Sequence, residues 1–155
     1  MSVLAAGSAV PEFTLQREDG TPFTRDDLAG TTTVLVFYPA AFSSVCTDQF
    51  QIYEEVLDDI AAQGATLYGV SCDQSDSQIA FRESLGVTIQ MLSDFHPKAA
   101  ATKAFGAYFE PAGFSTRALV VIGPDQTVQW SWEGEHPGVL PGANLVFDGL
   151  ATSPS

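Results

Sequence analysis

The stretch Thr32-Thr33-Val34-Leu35-Val36-Phe37-Tyr38-Pro39-Ala40-Ala41-Phe42-Ser43-Ser44-Val45-Cys46-Thr47-Asp48-Gln49-Phe50 changes period at Pro39. Up to Tyr38 it is a continuous apolar, β-branched and aromatic run. That is the pattern of a strand buried on both faces, as central parallel strands are. Pro39 fixes φ, cannot extend the strand and biases Tyr38 towards the extended region, so it marks the strand exit. Beyond it, Phe50, Tyr53, Leu57 and Ile60 recur at spacings of three and four, with Glu54, Glu55, Asp58 and Asp59 on the other side. This predicts one amphipathic helix ending near Gly64. Ser43 or Ser44 suits its N-cap. Cys46 then lies in the first turn of a helix that starts where a buried strand stops. Amide N–H groups there lack intrahelical partners and the helix dipole favours negative charge, so the address stabilises a thiolate.

Working outward, Val10 to Leu15 alternates like a strand, Asp19-Gly20 is a hairpin turn signal, and Pro22-Phe23-Thr24 returns beside it. Arg25 to Ala29 reads as a helical turn. After the long helix, Ala65 to Ser71 is a second buried strand, Asp73 to Ser77 a polar loop, and Gln78 to Leu85 a helix closed by Gly86. Thr88 to Leu92 is a short strand and Pro97 to Phe105 a third helix. Ala118 to Ile122 is a buried strand, Gly123 to Gln126 a turn, and Thr127 to Glu133 a strand with Val128, Trp130 and Trp132 facing inward. The stretch from Gly142 to Leu150 is ambiguous. A hairpin followed by β-α-β-α-β-α-β-β predicts an α/β, thioredoxin-like fold: a mixed central sheet with helices on both faces and an antiparallel hairpin at the end. Ligands of such sheets meet the carboxyl ends of the parallel strands, where Pro39 to Cys46 lies.

The chain has 155 residues, suited to a single domain over residues 1–155. A chain of this length buries roughly 68–70% of its unfolded surface, enough for a core without staples. Two cysteines and two histidines, with no HExxH or CxxC, are too few for a disulfide framework or a structural zinc site, so no metal cofactor is expected. Six basic against 19 acidic residues give a net charge of −13, which argues against nucleic acid and anionic membrane as partners. The acidity suits a saline environment, although the charged fraction of 16% is low for that reading. The N-terminus lacks a basic start and a signal-length apolar stretch, and no run approaches membrane-spanning length. A cytoplasmic protein with reduced thiols is the expectation.

Arg117, one of four arginines, stands immediately before the buried strand Ala118 to Ile122. A thiol at its ordinary pKa of about 8.5 is only about 3% ionised at pH 7, and making it mostly thiolate takes about 2.7 kcal/mol. A helix N-terminus supplies about 0.3–1 kcal/mol and up to about 2. One fixed cation nearby shifts a pKa by about 1–3 units. The helix alone falls short; helix plus arginine suffices.

Pro39-x-x-x-Ser43-x-x-Cys46 resembles the peroxiredoxin active-site motif Pro-x-x-x-Thr/Ser-x-x-Cys, and Arg117 sits where that family keeps an active-site arginine. The likeness extends over Val10 to Leu15, Leu92 to Phe95, Ala104 to Gly106 and Arg117 to Ile122, and is greatest to the AhpE-type branch. It implies a thiol-dependent peroxidase without metal or haem, in which Cys46 thiolate attacks hydrogen peroxide or an organic hydroperoxide and becomes sulfenic acid. By the same resemblance Ser43 hydrogen-bonds the peroxide and Arg117 stabilises thiolate and developing charge. Pro39 shields the sulfur, and the backbone N–H groups of Val45 and Cys46 orient the substrate. An external thiol or a thioredoxin- or glutaredoxin-like reductant recycles the enzyme. A homodimer or higher homo-oligomer, packed through loops near the site, is implied too. The alternative on the same residues is a redox sensor that oxidises without turning over.

Family members usually carry glutamate where this chain has Gln49, which still accepts a bond from the arginine but brings no charge. Phe42, Phe105 and Tyr108 suit either an apolar edge for organic peroxides, a dimer contact or plain packing. Cys72 ends the second buried strand; closing that strand and acting as a resolving thiol both remain open, the former favoured. His96-Pro97 and His136-Pro137 read as exposed loops rather than catalytic histidines.

Overall fold

The computed structural model describes residues 3–136 and 139–152. Its strands are β1 (Thr14–Arg17), β2 (Pro22–Thr24), β3 (Thr32–Phe37), β4 (Ala65–Ser71), β5 (Gln90–Ser93), β6 (Tyr108–Phe109), β7 (Phe114–Ser115), β8 (Ala118–Ile122) and β9 (Val128–Glu133). The helices are α1 (Ser44–Glu55), α2 (Leu57–Ala62), α3 (Ser75–Leu85), α4 (Ala100–Ala104) and α5 (Ala143–Ala151), with a 3₁₀ turn at Arg25–Leu28. Seven strands form one sheet in the order β2-β1-β5-β4-β3-β8-β9, and β6 and β7 pair separately. β3, β4 and β5 run parallel, while β1 on β5 and β8 on β3 are antiparallel. The mixed sheet is therefore the predicted one, with the largely apolar strands β3 and β4 inside it and the all-apolar β8 beside β3.

Each face of the sheet has its own apolar layer. On one face Phe50 and Tyr53 of α1, Ile60 of α2, Phe81 of α3 and Val146 of α5 pack over Val34, Val36 and Val121, with Cys46 among them. On the other, Ala101 of α4 and Phe105 join Val10, Phe13, Leu15, Phe23 and Leu28 over Phe37, Val70 and Val120. Gly69 of β4 has no side chain because α1 lies too close. A Cβ there would stand 2.5 Å from Met91 Sδ and 2.9 Å from the Phe50 ring. Phe105 is core, not edge.

Several boundaries differ from the sequence expectation for local reasons. The long helix breaks at Val56, whose N–H bonds Tyr53 O at 3.2 Å and tightens the turn between α1 and α2. The first strand begins at Thr14; only an isolated bridge from Ala9 to Thr127 precedes it. α3 starts three residues early, at Ser75, and Gly86 closes it in the left-handed region at φ 67°. The third helix is short, because Ala99 takes φ 56° and the Asp94 carboxylate accepts the N–H groups of Ala101 and Thr102. In β9 a bulge between Val121 and Ile122 of its partner breaks the alternation. Val128 therefore faces the Phe105 layer and Trp130 and Trp132 the Cys46 layer. The ambiguous stretch is α5, an amphipathic helix whose Gly149 lets it sit on Trp130.

Candidate active site

β3 delivers the chain to Pro39, and the Pro39 loop delivers it to α1. Because β8 pairs antiparallel with β3, placing Ala118 opposite Phe37, the start of β8 lies beside the end of β3. Arg117 thus arrives at the sheet end where α1 begins, and Cys46 stands third in α1. Arg117 Nη2 donates to Cys46 Sγ at 3.3 Å, and Nη1 donates to Gln49 Oε1 at 2.6 Å. Both residues are buried, Arg117 to 2% exposure and Cys46 to 0%. A buried guanidinium is costly unless its donors are engaged, and here the Cys46 sulfur and the Gln49 oxygen engage two of them.

Behind the arginine the bonding continues. Gln49 Nε2 donates to Tyr53 Oη at 3.2 Å, and that hydroxyl donates to Pro141 O at 2.8 Å. Cys46, Gln49 and Tyr53 are three and four residues apart and share one face of α1. Burial pushes the Tyr53 phenol well above its ordinary range, so it stays protonated and keeps its hydrogen to donate.

Ser43 occupies the N-cap position of α1, yet its hydroxyl does not cap the helix. Its Oγ is buried without a partner among the described residues. The first intrahelical bond is Thr47 N–H to Ser43 O, so the amides of Val45 and Cys46 stay available, as first-turn amides do. Pro39 is buried. Phe42 is 59% exposed, takes φ 67°, and sets its ring edge-on to Phe81 at 5.4 Å. The loop is tied down by Asp73, whose Oδ2 accepts from Ala41 N and Ser71 Oγ, both at 2.8 Å. Beside Arg117 a cleft of about 100 Å³ is lined by Phe109, Thr116, Gly134, Glu135 and His136.

Of the residues named from the sequence, the structure brings Cys46, Arg117 and Gln49 into contact. Sequence reading missed Tyr53, Asp73 and the Pro141 carbonyl. Tyr53 was legible only as a core residue, and its spacing from Gln49 was the available signal. His136 is exposed as expected but stands on the Arg117 cleft; Pro137 lies outside the described residues. His96 is exposed and follows Phe95 at the end of β5. Cys72 contacts Thr102 Oγ1 at 3.8 Å, on the α4 face of the sheet, whereas Cys46 sits in the opposite layer. Burial pushes its thiol pKa up. Among the described residues no group of three or more His, Cys, Asp or Glu side chains is placed to hold a metal ion, and no helix is long and apolar enough to cross a membrane.

Comparison with known proteins places these features in a family context. Residues 6–131 match the model of the AhpC/TSA family. Alkyl hydroperoxide reductase E of Mycobacterium tuberculosis is 27% identical over 150 residues, covering 96% of this chain and 97% of the relative. Among solved structures, Peroxidoxin BcpB of M. tuberculosis superposes with a TM-score of 0.82 at 25% identity, over 98% of this chain and 99% of its own. AhpC of Enterococcus faecalis gives a TM-score of 0.85 at 22% identity, over 94% and 90%, a likeness of fold alone.

Proposed function

The chain belongs to the AhpC/TSA family of peroxiredoxins, thiol-dependent peroxidases, and on that premise we propose that Cys46 is its peroxide-reducing sulfur. The observation that carries the assignment is the Arg117 Nη2 to Cys46 Sγ hydrogen bond of 3.3 Å within a buried site. The thiolate attacks the near oxygen of the peroxide, the O–O bond breaks, and the departing oxygen leaves as water or alcohol after taking up a proton. Cys46 becomes sulfenic acid. Ser43 Oγ, unpartnered and buried, and the amides of Val45 and Cys46 hold the peroxide oxygens. Arg117, held by Gln49, faces the charge that develops on the breaking bond. Pro39 and Phe42 bound the approach to the sulfur.

An external thiol then attacks the sulfenic sulfur, releasing water and forming a mixed disulfide. A second thiol frees Cys46 and carries the disulfide away, so two electrons pass from the reductant to the peroxide. A recycling partner outside the chain is supported by the sheet lying between Cys72 and Cys46. Low-molecular-weight thiols and thioredoxin- or glutaredoxin-like proteins are the reductant classes proposed, in the reducing cytoplasm. Phe42, Phe95 and Phe109 are large apolar side chains left exposed, Phe42 in the loop before α1, and they support self-association of the chain.

Stopped-flow mixing with hydrogen peroxide tests the assignment. Wild-type protein is expected to form a sulfenic acid at Cys46, trapped by dimedone and located by mass spectrometry, and to consume peroxide continuously when a dithiol is supplied. Oxidation at another residue overturns the assignment of Cys46. Stoichiometric oxidation without cycling makes the chain a sensor.

A further inference from the structure

The hydrogen-bond chain behind Cys46 has a direction, fixed by a group that only donates at one end and one that only accepts at the other. A guanidinium only donates, so the Gln49 atom facing Arg117 at 2.6 Å is the oxygen. The amide nitrogen then faces Tyr53 at 3.2 Å and, in its turn, only donates. This leaves the phenol oxygen as acceptor and sends its hydrogen to the Pro141 carbonyl, 2.8 Å away, which has nothing to offer but lone pairs. Each link permits one orientation of the next. A carboxylate at position 49 would need no such setting, since both its oxygens accept. A glutamine has two unlike ends. Turned over, it would aim an NH₂ at the guanidinium, donor against donor, among three side chains that are 2% exposed or less.

We propose that Tyr53, anchored by the backbone carbonyl of Pro141, is a positioning residue that keeps the Gln49 amide turned so that its oxygen holds Arg117 against Cys46. The proposal rests on the peroxidase reading above. It also links the active site to the segment leading into α5, since the relay ends on the residue just before the Gly142 cap. A neutral residue at 49 thereby holds the arginine without adding an anion beside the sulfur, at the cost of needing a second residue to orient it.

The test is a cycle of four proteins: wild type, Tyr53→Phe, Gln49→Glu and the double variant. The second-order rate of Cys46 oxidation by hydrogen peroxide is measured in each, with circular dichroism as the check on folding. Phenylalanine preserves the edge-on contact of ring 53 with Phe50, 6.4 Å between centroids. Tyr53→Phe is expected to slow oxidation about tenfold when residue 49 is glutamine and less than about twofold when it is glutamate. Equal slowing in both backgrounds, as a packing defect gives, overturns the relay, and so does a Tyr53→Phe variant as fast as wild type. A second measurement needs no variant. In the wild type the Tyr53 hydroxyl proton should be a slowly exchanging NMR resonance with a cross-peak to the Gln49 side-chain amide, and absence of that contact also overturns the relay. A wild type that fails to react with peroxide strikes the peroxidase reading instead.

Discussion

Cys46 and Cys72 each follow a parallel strand at the same end of one sheet, Cys72 directly after β4 and Cys46 after β3 and the Pro39 loop. One turn of chain direction separates their fates. The Pro39 loop turns Cys46 into the start of α1, where first-turn amides and a guanidinium 3.3 Å from the sulfur converge. Cys72 continues past β4 onto the opposite face, where its neighbours are the Thr102 hydroxyl and, close by, the carboxylate of Asp94, which Thr102 bonds at 2.6 Å. Burial is shared by the two, at 0% and 8% exposure. Exposure therefore does not distinguish them; what differs is the group beside each sulfur, a guanidinium at Cys46 and a hydroxyl backed by a carboxylate at Cys72.

The largest effect that separates the two sites is loss of the sulfur itself. Cys46→Ser should lower peroxide consumption by about 10³-fold or more, to the background reaction. Cys72→Ser should leave turnover with a supplied external thiol unchanged within measurement scatter. Lost recycling with intact first oxidation in Cys72→Ser would mean that the sheet is not the barrier between the thiols that it is here.

Next in size is the charge that distinguishes them. Arg117→Ala should slow Cys46 oxidation by about 10²-fold, the usual consequence of deleting one donor aimed at developing charge. Arg117→Lys keeps the charge but not the planar fork that serves Gln49 and Cys46 at once, so a smaller loss of about tenfold is expected. Single-turnover rates measure both. Equal rates for the alanine and lysine variants would show that the fork, not the charge, matters.

The framework of this difference was legible in the sequence because it rests on short-range signals. The apolar run from Val34 to Tyr38, Pro39 at its exit and the three-four spacing of Phe50 and Tyr53 each act over a few residues, and all survived folding. Arg117 was legible through its position before an all-apolar strand and its scarcity, and antiparallel pairing of β8 with β3 carried it to Cys46. What was not legible depends on contacts that no local pattern encodes. The bulge opposite Val121 reverses the facing of Val128. The Asp94 cap shortens α4, and the carbonyl of Pro141, 88 residues from Tyr53, completes the relay. The side on which Cys72 would lie belonged to this class too. The contact with Thr102 of α4 decides it.

The smallest effect concerns the chemistry that Cys72 retains. Burial raises its thiol pKa, the carboxylates of Asp94 and Asp73 add to that rise, and the Lys98 ammonium offsets part of it. At a given pH a raised value means less thiolate, and thiolate is the form that iodoacetamide alkylates. In the folded Cys46→Ser protein, the pH profile of alkylation at Cys72 should therefore have its midpoint above that of a free thiol and return to the ordinary value in denaturant. Lys98→Ala should move the midpoint further upward, since it removes a cation that favours the thiolate and leaves the Asp94 charge in place. A downward movement would mean that the carboxylate side of the sheet treats its sulfur as the arginine side does, and the contrast between the two cysteines would have to be sought in access rather than in charge.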